Sequence, residues 1–423
     1  MKKLIFISSV STLLSFVYSC STMGNVQHNY AHLYKSAGQI LDPNYIIYHH
    51  NPDSSKVFFQ IESSKILYTR KNKTDIFSGK ILLHYEIVEN ISNKSILDSG
   101  SFFINDQVNE VVDKIIYGDF TVSAKIGNNR LMKVFCADQN RNSIVEKHVL
   151  LNKVNANSRQ FFLIKNHNNN PVFTDYIDTN KRITIESVLN KSKQVYLRHY
   201  LREFPISAPP FTSSANKSFS YISDNTTSIQ LDEFGKKSLE LPKNGFLFFQ
   251  LDTLIREGVT LFSFSSYYPS LRSINQMIKP TRYICSRSEY NKLVNSELKK
   301  SAIDYFWKDK TGSTDRAREI IKKYYNRVTN ANQHFTSYLE GWQTDRGMIS
   351  IIFGPPSIVS KLIDREIWIY GDEKNVNSLS FVFNKMENPF TENDYKLQRS
   401  PMYKSSWYKA VDSWRSGRAY WIQ

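Results

Sequence analysis

Cysteine is scarce in this sequence. Three residues in 423 are too few for the disulfide framework of a small secreted domain. Glycine is also sparse, at 15 residues, which excludes a collagen-like or glycine-rich low-complexity chain. With 41% apolar and 22% charged residues the composition is that of a globular protein, and the length predicts two or three domains with separate cores.

A concentrated basic region is absent as well. Lys and Arg exceed Asp and Glu by 16, but 7 of these excess charges fall from Thr281 onward and the rest are spread over the preceding residues. Proteins that bind nucleic acid usually cluster their basic residues on one face or arm. We therefore expect no nucleic acid among the partners.

The common catalytic fingerprints are also missing. The sequence has no His-Glu-x-x-His, Gly-x-Ser-x-Gly, Walker A or dinucleotide-binding pattern. Nine histidines are scattered, and the one adjacent pair, His49-His50, is expected to face solvent because no spaced partner accompanies it. We expect no metal and no cofactor, and an enzyme is the less favoured interpretation.

The N-terminus predicts export. Lys2 and Lys3 precede an apolar run from Leu4 to Tyr18, which at fifteen residues is shorter than the about 20 that a membrane-spanning helix needs. The run ends at Val17-Tyr18-Ser19-Cys20, which resembles the lipobox of bacterial lipoproteins, and that resemblance implies a lipid on Cys20. Ser21 and the lack of acidic residues up to Leu41 then imply the outer membrane, facing the periplasm. Ordinary secretion with cleavage nearby is the alternative.

The chain before Thr281 divides into four segments. Residues 1–20 are the predicted signal peptide and 21–40 a polar tether. Short β-rich segments separated by Asn, Asp, Gly and Ser clusters predict two antiparallel β-sandwich (Ig-like) domains, at 41–156 and 157–280. Cys136 and Cys285 lie in strand-like apolar surroundings, so buried free thiols are favoured over a disulfide.

The pattern changes after Thr281. A Ser286-x-x-Glu289 capping box opens a helix predicted to run past Phe306, and a second helix is predicted from Thr314. Three strands are predicted next, followed by a last helix opened by Pro401, and all six tryptophans lie in this part. We predict a C-terminal α+β domain at 281–423, with a short antiparallel sheet, helices and a core of its own; its strands are Met348–Phe353, Glu366–Tyr370 and Leu379–Phe383.

One motif in this part is specific. Gly341-Trp342-Gln343-Thr344-Asp345 is followed by Arg346-Gly347, by Gly354-Pro355-Pro356 and by Glu366-Ile367-Trp368. This pattern resembles the GWxTD domain of bacterial, mostly Bacteroidetes, envelope proteins, over about Ser286 to Tyr420. The resemblance implies architecture and secretion, since no established activity comes with the family.

The motif residues also have a direct physical interpretation. Trp342 is expected to anchor a loop by burial, while Thr344 and Asp345 accept backbone hydrogen bonds in a turn that enters the Met348–Phe353 strand. Gly354-Pro355-Pro356 would end that strand in a rigid turn. We favour this structural role. The alternative makes Asp345 a general acid or base, or part of a polar pocket, with Arg346 and His334 as neighbours.

Together these patterns predict a non-enzymatic, lipid-anchored periplasmic protein that binds an envelope protein partner or supports assembly. The alternative is an envelope hydrolase that acts on glycan or peptide through carboxylates such as Asp304, Glu340 and Asp345.

Overall fold

In this computed structural model the described residues are 29–34, 41–89, 95–178, 182–201, 204–213, 220–242, 245–265, 267–372 and 378–421. They form five β-sheets and a largely helical C-terminal part. Within these ranges no helix combines the length and the hydrophobicity needed to cross a membrane. The fold is therefore multidomain and β-rich. The predicted signal peptide, with Cys20, lies outside the described residues.

The first β region has seven strands in two antiparallel sheets. Their order is β1-β2-β5 in one sheet and β4-β3-β6-β7 in the other. Alternate residues point inward, as the period of a strand requires, so Phe59, Leu83 and Val134 share one hydrophobic cluster. The strands are β1 Asn44–Tyr48, β2 Ser54–Glu62, β3 Phe77–Val88, β4 Ile96–Val108, β5 Ile115–Ser123, β6 Asn129–Asp138 and β7 Ser143–Asn152.

The second β region also contains two sheets. Their orders are β13-β10-β8 and β12-β11-β14-β15-β9. Strand β9 runs parallel to β15, so the prediction of a purely antiparallel region is wrong at this edge. The strands are β8 Leu163–Lys165, β9 Tyr176–Asp178, β10 Arg182–Glu186, β11 Gln194–Tyr200, β12 Asn225–Gln230, β13 Lys236–Glu240, β14 Gly245–Gln250 and β15 Val259–Phe264.

The C-terminal part is α+β, as predicted. Its antiparallel sheet has the order β16-β17-β18-β19, with strands Ile358–Lys361, Arg365–Tyr370, Leu379–Lys385 and Tyr395–Leu397. The helices enclose one aromatic-rich core that contains Trp307, Trp342 and Trp414. They are α1 Ile274–Ile278, α2 Arg287–Asn295, α3 Lys299–Thr311, α4 Thr314–Phe335, α5 Asp345–Phe353 and α6 Tyr403–Arg415.

Two predictions of secondary structure are wrong here. Residues 345–353 form helix α5 and not a strand, since Thr344 caps the helix and its amides bond within it. The predicted single helix from Ser286 past Phe306 is two helices, because Ser296 and Leu298 adopt non-helical backbone angles. As a consequence Leu298, which the spacing predicts to face the core, is 73% exposed. The Ser286–Glu289 capping box itself is present.

The C-terminal core extends beyond the predicted boundary at 281. Ile278 is buried in it, and Tyr34, from the predicted tether, is 6% exposed within the same cluster. In the opposite direction, Phe390 leaves this core and packs against the second β region, with ring centroids 4.8 Å from Tyr200 and 5.0 Å from Phe246. The C-terminal domain therefore shares packing with both the N-terminal segment and the second β region.

Candidate functional site

The first two motif residues fix a 3₁₀ turn, Gly341–Gln343, against helix α4. A Cβ on Gly341 would lie 2.0 Å from the Ala331 carbonyl oxygen, so any side chain would separate the turn from the helix. Asn332 accepts a hydrogen bond from the Trp342 amide at 3.0 Å. The Trp342 ring is 2% exposed, and its Nε1 donates to Glu340 at 2.6 Å. Trp342 is therefore the buried anchor that the sequence predicted.

Thr344 begins helix α5. Its hydroxyl accepts from the Gly347 amide at 3.0 Å and donates to the Gly341 carbonyl at 2.8 Å. Gly347 cannot carry a side chain either, because a Cβ would lie 1.9 Å from the Gly341 oxygen. Thr344 is thus an N-cap, which satisfies an amide that the helix leaves without an internal partner.

Asp345 connects the motif to two other segments. The carboxylate is 5% exposed and accepts from the Leu397 amide at 2.8 Å through one oxygen. Its other oxygen pairs with Arg399, whose guanidinium also donates to the carbonyls of Ala208 and Pro209. A charge-assisted hydrogen bond of this kind is stronger than a neutral one. The motif aspartate therefore holds the loop at 204–213 of the second β region against the C-terminal domain.

A second buried ion pair lies next to the motif. Arg346 is 2% exposed, and its Nη1 lies 3.2 Å from Oε1 of Glu366, which is equally buried. Glu366 also accepts from the hydroxyl of Tyr34 at 3.0 Å and from Nε1 of Trp368 at 3.1 Å. Burial opposes ionisation of Glu366, but Arg346, Lys361 and these hydrogen bonds outweigh it and hold its pKa below the usual range.

The Gly354-Pro355-Pro356 segment ends helix α5 and not a strand. Gly354 has φ +90°, a conformation that favours glycine, and a Cβ there would lie 2.8 Å from the Arg327 guanidinium. Arg327 donates to the carbonyls of Ile351 and Ile352 at 3.0 and 3.2 Å, so it satisfies the free end of the helix. Burial lowers the pKa of Arg327 to about 10.

The carboxylates proposed for catalysis do not form one group. Asp304 is exposed on α3, Glu340 bonds the Trp342 ring, and Asp345 is occupied by Leu397 and Arg399. His334 is half-buried on α4, and burial lowers its pKa to about 4, so it is neutral at pH 7. Arg346 pairs with Glu366 and not with Asp345.

Two clefts lie where the regions of the chain meet. One, of about 740 Å³, is bounded by Glu62, Asp175 and His334; the other, of about 890 Å³, is bounded by Arg159, Arg256 and Glu387. None of Asp304, Glu340 and Asp345 lines either cleft. Within the described ranges no cluster of three or more His, Cys, Asp or Glu side chains is arranged to hold a metal ion.

Sequence reasoning missed three partners of the motif: Asn332, Glu366 and Arg399. Glu366 stands in a segment already recognised as part of the family pattern, but Arg399 lies outside every quoted motif. A pairing across 54 positions leaves no local signal. What the sequence did indicate was the need for a partner, since a buried aspartate requires one.

Two predictions outside the motif can also be assessed. Cys136 and Cys285 are free and buried, as favoured. The prediction that His49 faces solvent is wrong: it is fully buried, bonded to Ser55 Oγ at 2.7 Å and to the Asn152 carbonyl at 2.9 Å. Burial lowers the pKa of His49 to about 4.

Comparison with known proteins agrees with the motif. None of the curated proteins matches the chain. Among solved structures, one match is described as a chaperone–tip adhesin complex of CFA/I fimbriae; it is 11% identical, covers 53% of this chain and 100% of that chain, and has a TM-score of 0.14. A likeness that low carries no argument. The model of the GWxTD domain family matches residues 245–416, a range that begins with strand β14. This chain is therefore a GWxTD domain-containing protein.

Proposed function

We propose that the protein is a non-enzymatic outer-membrane lipoprotein, anchored through Cys20 and facing the periplasm, that acts as a binding or assembly scaffold for an envelope protein partner. The observation that carries this proposal is the set of hydrogen bonds made by the motif aspartate. Both oxygens of Asp345 have protein partners, and the side chain is 5% exposed. A group held in this way joins parts of the chain and has no free oxygen for substrate.

The two β regions serve as the binding modules in this proposal. We infer that each is an Ig-like sandwich, with boundaries near 41–156 and 157–280. In both, residues from two sheets contribute to one hydrophobic cluster, as the two faces of a sandwich do. Strand β9, which runs parallel to its neighbour, would be a departure from the Ig-like pattern in the second region.

An apolar row on the outer face of the first region is the proposed contact surface. Register places Phe103, Leu82, Ala137 and Ile144 side by side across β4, β3, β6 and β7. Phe103 is 65% exposed and Ile144 is 69% exposed. Between them lie the half-buried Leu82 and Ala137, which is 7% exposed. Exposed apolar side chains on one sheet face are typical of protein contact surfaces.

The test is affinity purification from detergent-solubilised envelopes. The parent protein should retain a defined envelope protein, and a Phe103→Glu, Ile144→Glu variant should lose it. Phe234→Glu is the matched control, because Phe234 is also 65% exposed but lies in the second region. Retention of the partner by the double variant would contradict the proposed surface.

The envelope hydrolase is kept as a second candidate on one observation. Burial raises the pKa of Glu340 above its ordinary value, as a general acid requires. The hydrogen bond from Trp342 opposes that shift. If Glu340→Gln abolishes function in a deletion strain while the folded protein still retains its partner, the hydrolase takes first place.

A further inference from the structure

The N-terminal segment that precedes the first β region is attached to the GWxTD domain. Asn29 accepts a hydrogen bond from the Val359 amide at 3.0 Å and donates to the Ser357 carbonyl at 3.1 Å. Five residues later, Tyr34 is buried and donates to Glu366. Residues 30–34 thus lie along the edge strand β16, before the chain continues to β1.

This attachment limits how far the GWxTD domain can lie from a lipid on Cys20. Asn29 is nine positions after Cys20, and a fully extended chain covers about 3.3–3.6 Å per residue, so Asn29 lies within about 32 Å of the acylated residue. The argument therefore rests on the lipid anchor of the proposed function. It places the GWxTD domain within that distance of the membrane.

The turn between β16 and β17 carries two exposed aliphatic side chains. Ile363 is 96% exposed and Leu362 is 47% exposed, and the turn is closed by a hydrogen bond from the Leu362 amide to the Arg365 carbonyl. Val359, which binds Asn29, is four residues from Ile363, or about 13 Å along a strand. This turn therefore extends from the same strand that holds the N-terminal segment.

We propose that the Leu362-Ile363 turn contacts the surface of the membrane that holds the lipid anchor. An isoleucine side chain almost fully in water gains by transfer into an apolar environment. The charged side chains around it are of both signs: Lys361 pairs with Glu366 at 3.4 Å, and Arg365 pairs at 3.6 Å with Asp364, which follows Ile363 directly. The lipid anchor and the turn together would give two points of attachment, and they would fix the orientation of the GWxTD domain on the membrane.

Site-specific fluorescence tests this contact in the full, acylated chain. Ile363→Cys is labelled with an environment-sensitive fluorophore and reconstituted into vesicles of phosphatidylethanolamine and phosphatidylglycerol that contain a spin-labelled lipid. Leu254→Cys is the matched control, since Leu254 is 91% exposed in a turn of the second β region. The native Cys136 and Cys285 are buried, and burial raises their thiol pKa values, so they should label poorly.

We expect the lipid quencher to reduce fluorescence at position 363 and to leave position 254 unchanged. Asn29→Ala should lower the quenching at 363 without releasing the protein from vesicles. Equal quenching at the two positions would overturn the proposal, as would protection of position 363 only when another protein or a second copy is added. Failure of the anchor is a separate result: a parent protein that does not cofractionate with membranes contradicts the proposed function itself.

Discussion

The buried lysine of the first β region and the buried carboxylates of the GWxTD domain are satisfied in different ways. In the first region Lys153 is 1% exposed and donates to the carbonyls of Asn51, Ser54 and Ala124 at 2.6 to 2.7 Å. Burial lowers its pKa to about 8. In the GWxTD domain, Glu366 and Asp345 instead meet arginines. Burial thus disfavours the charged form of Lys153, whereas the arginine pairs connect distant segments of the chain.

The ion pairs of the motif lie where the GWxTD domain contacts other parts of the chain. Arg399 joins Asp345 to the loop at 204–213, and Glu366 joins Arg346 to Tyr34 of the N-terminal segment. Backbone carbonyls around Lys153 hold only the first region together. The ion pairs of the GWxTD domain thus position other parts of the chain as well as their own helix.

The largest effect should come from cutting the shared interfaces. A fragment of residues 286–423 lacks Ile278, Tyr283 and the aromatic side chains that cover Phe390. It should bind a hydrophobic dye and lack a cooperative melt, as expanded states do. A fragment of residues 157–423 retains these contacts and should melt cooperatively. A cooperative melt with a near-ultraviolet tryptophan signal from the shorter fragment would show that the domain folds on its own.

Among single substitutions, removal of the motif tryptophan should cost the most stability. Trp342→Ala leaves a cavity and removes the partner of Glu340, so the free energy of unfolding should fall by about 3–5 kcal/mol. The control is Trp421→Ala, since Trp421 is 63% exposed and should change stability by no more than about 0.5 kcal/mol. Urea denaturation measures both. Equal midpoints for the two variants would contradict the anchoring role of Trp342.

Acid should destabilise the first region through His49. Its pKa in the folded protein is about 4, below the ordinary 6.5, so from pH 6.5 down to pH 4 the unfolded chain binds the proton first. The lost stability should reach about 3 kcal/mol, from 1.36 kcal/mol per pKa unit. His49→Gln should flatten this part of the pH profile of melting temperature, whereas Gln at the exposed His167 should leave it unchanged. If the slope of melting temperature against pH is unaltered in His49→Gln, another group causes the acid destabilisation.

From the sequence, the secondary-structure class of each region could be predicted better than the contacts between the regions. Alternation and turn residues are local, so the two β regions and the helix that starts at Thr314 could be recognised. The run from Met348 to Phe353 is apolar throughout, and periodicity alone cannot separate a buried strand from a buried helix. Thr344, Asp345 and Gly354 supplied an N-cap, an acidic first turn and a C-terminal glycine that indicate the helix.

The site was predictable to the same extent. Burial of Trp342 follows from residue type, as does the need of a buried Asp345 for a partner, and both the burial and a partner are present. The identity of that partner does not follow, because Arg399 is 54 positions from Asp345 and the sheet β16–β19 lies between them in the sequence. The same holds for Tyr34, which is 332 positions from Glu366. Contacts of this kind depend on the tertiary fold and have no short-range pattern.

The smallest predicted effect distinguishes a structural role of Asp345 from a catalytic one. Asp345→Asn keeps the volume and an acceptor for the Leu397 amide but weakens the charge-assisted bond to Arg399, so it should cost about 1–2 kcal/mol. Asp304→Asn is the control, because Asp304 is exposed and should change stability by less than about 0.5 kcal/mol. Thermal melts and complementation of a deletion strain are measured on the same variants. If Asp345 only connects segments of the chain, function should fall no further than stability does and should return at lower temperature. A catalytic Asp345 predicts a fully stable protein without function, and that result would replace the scaffold with the hydrolase.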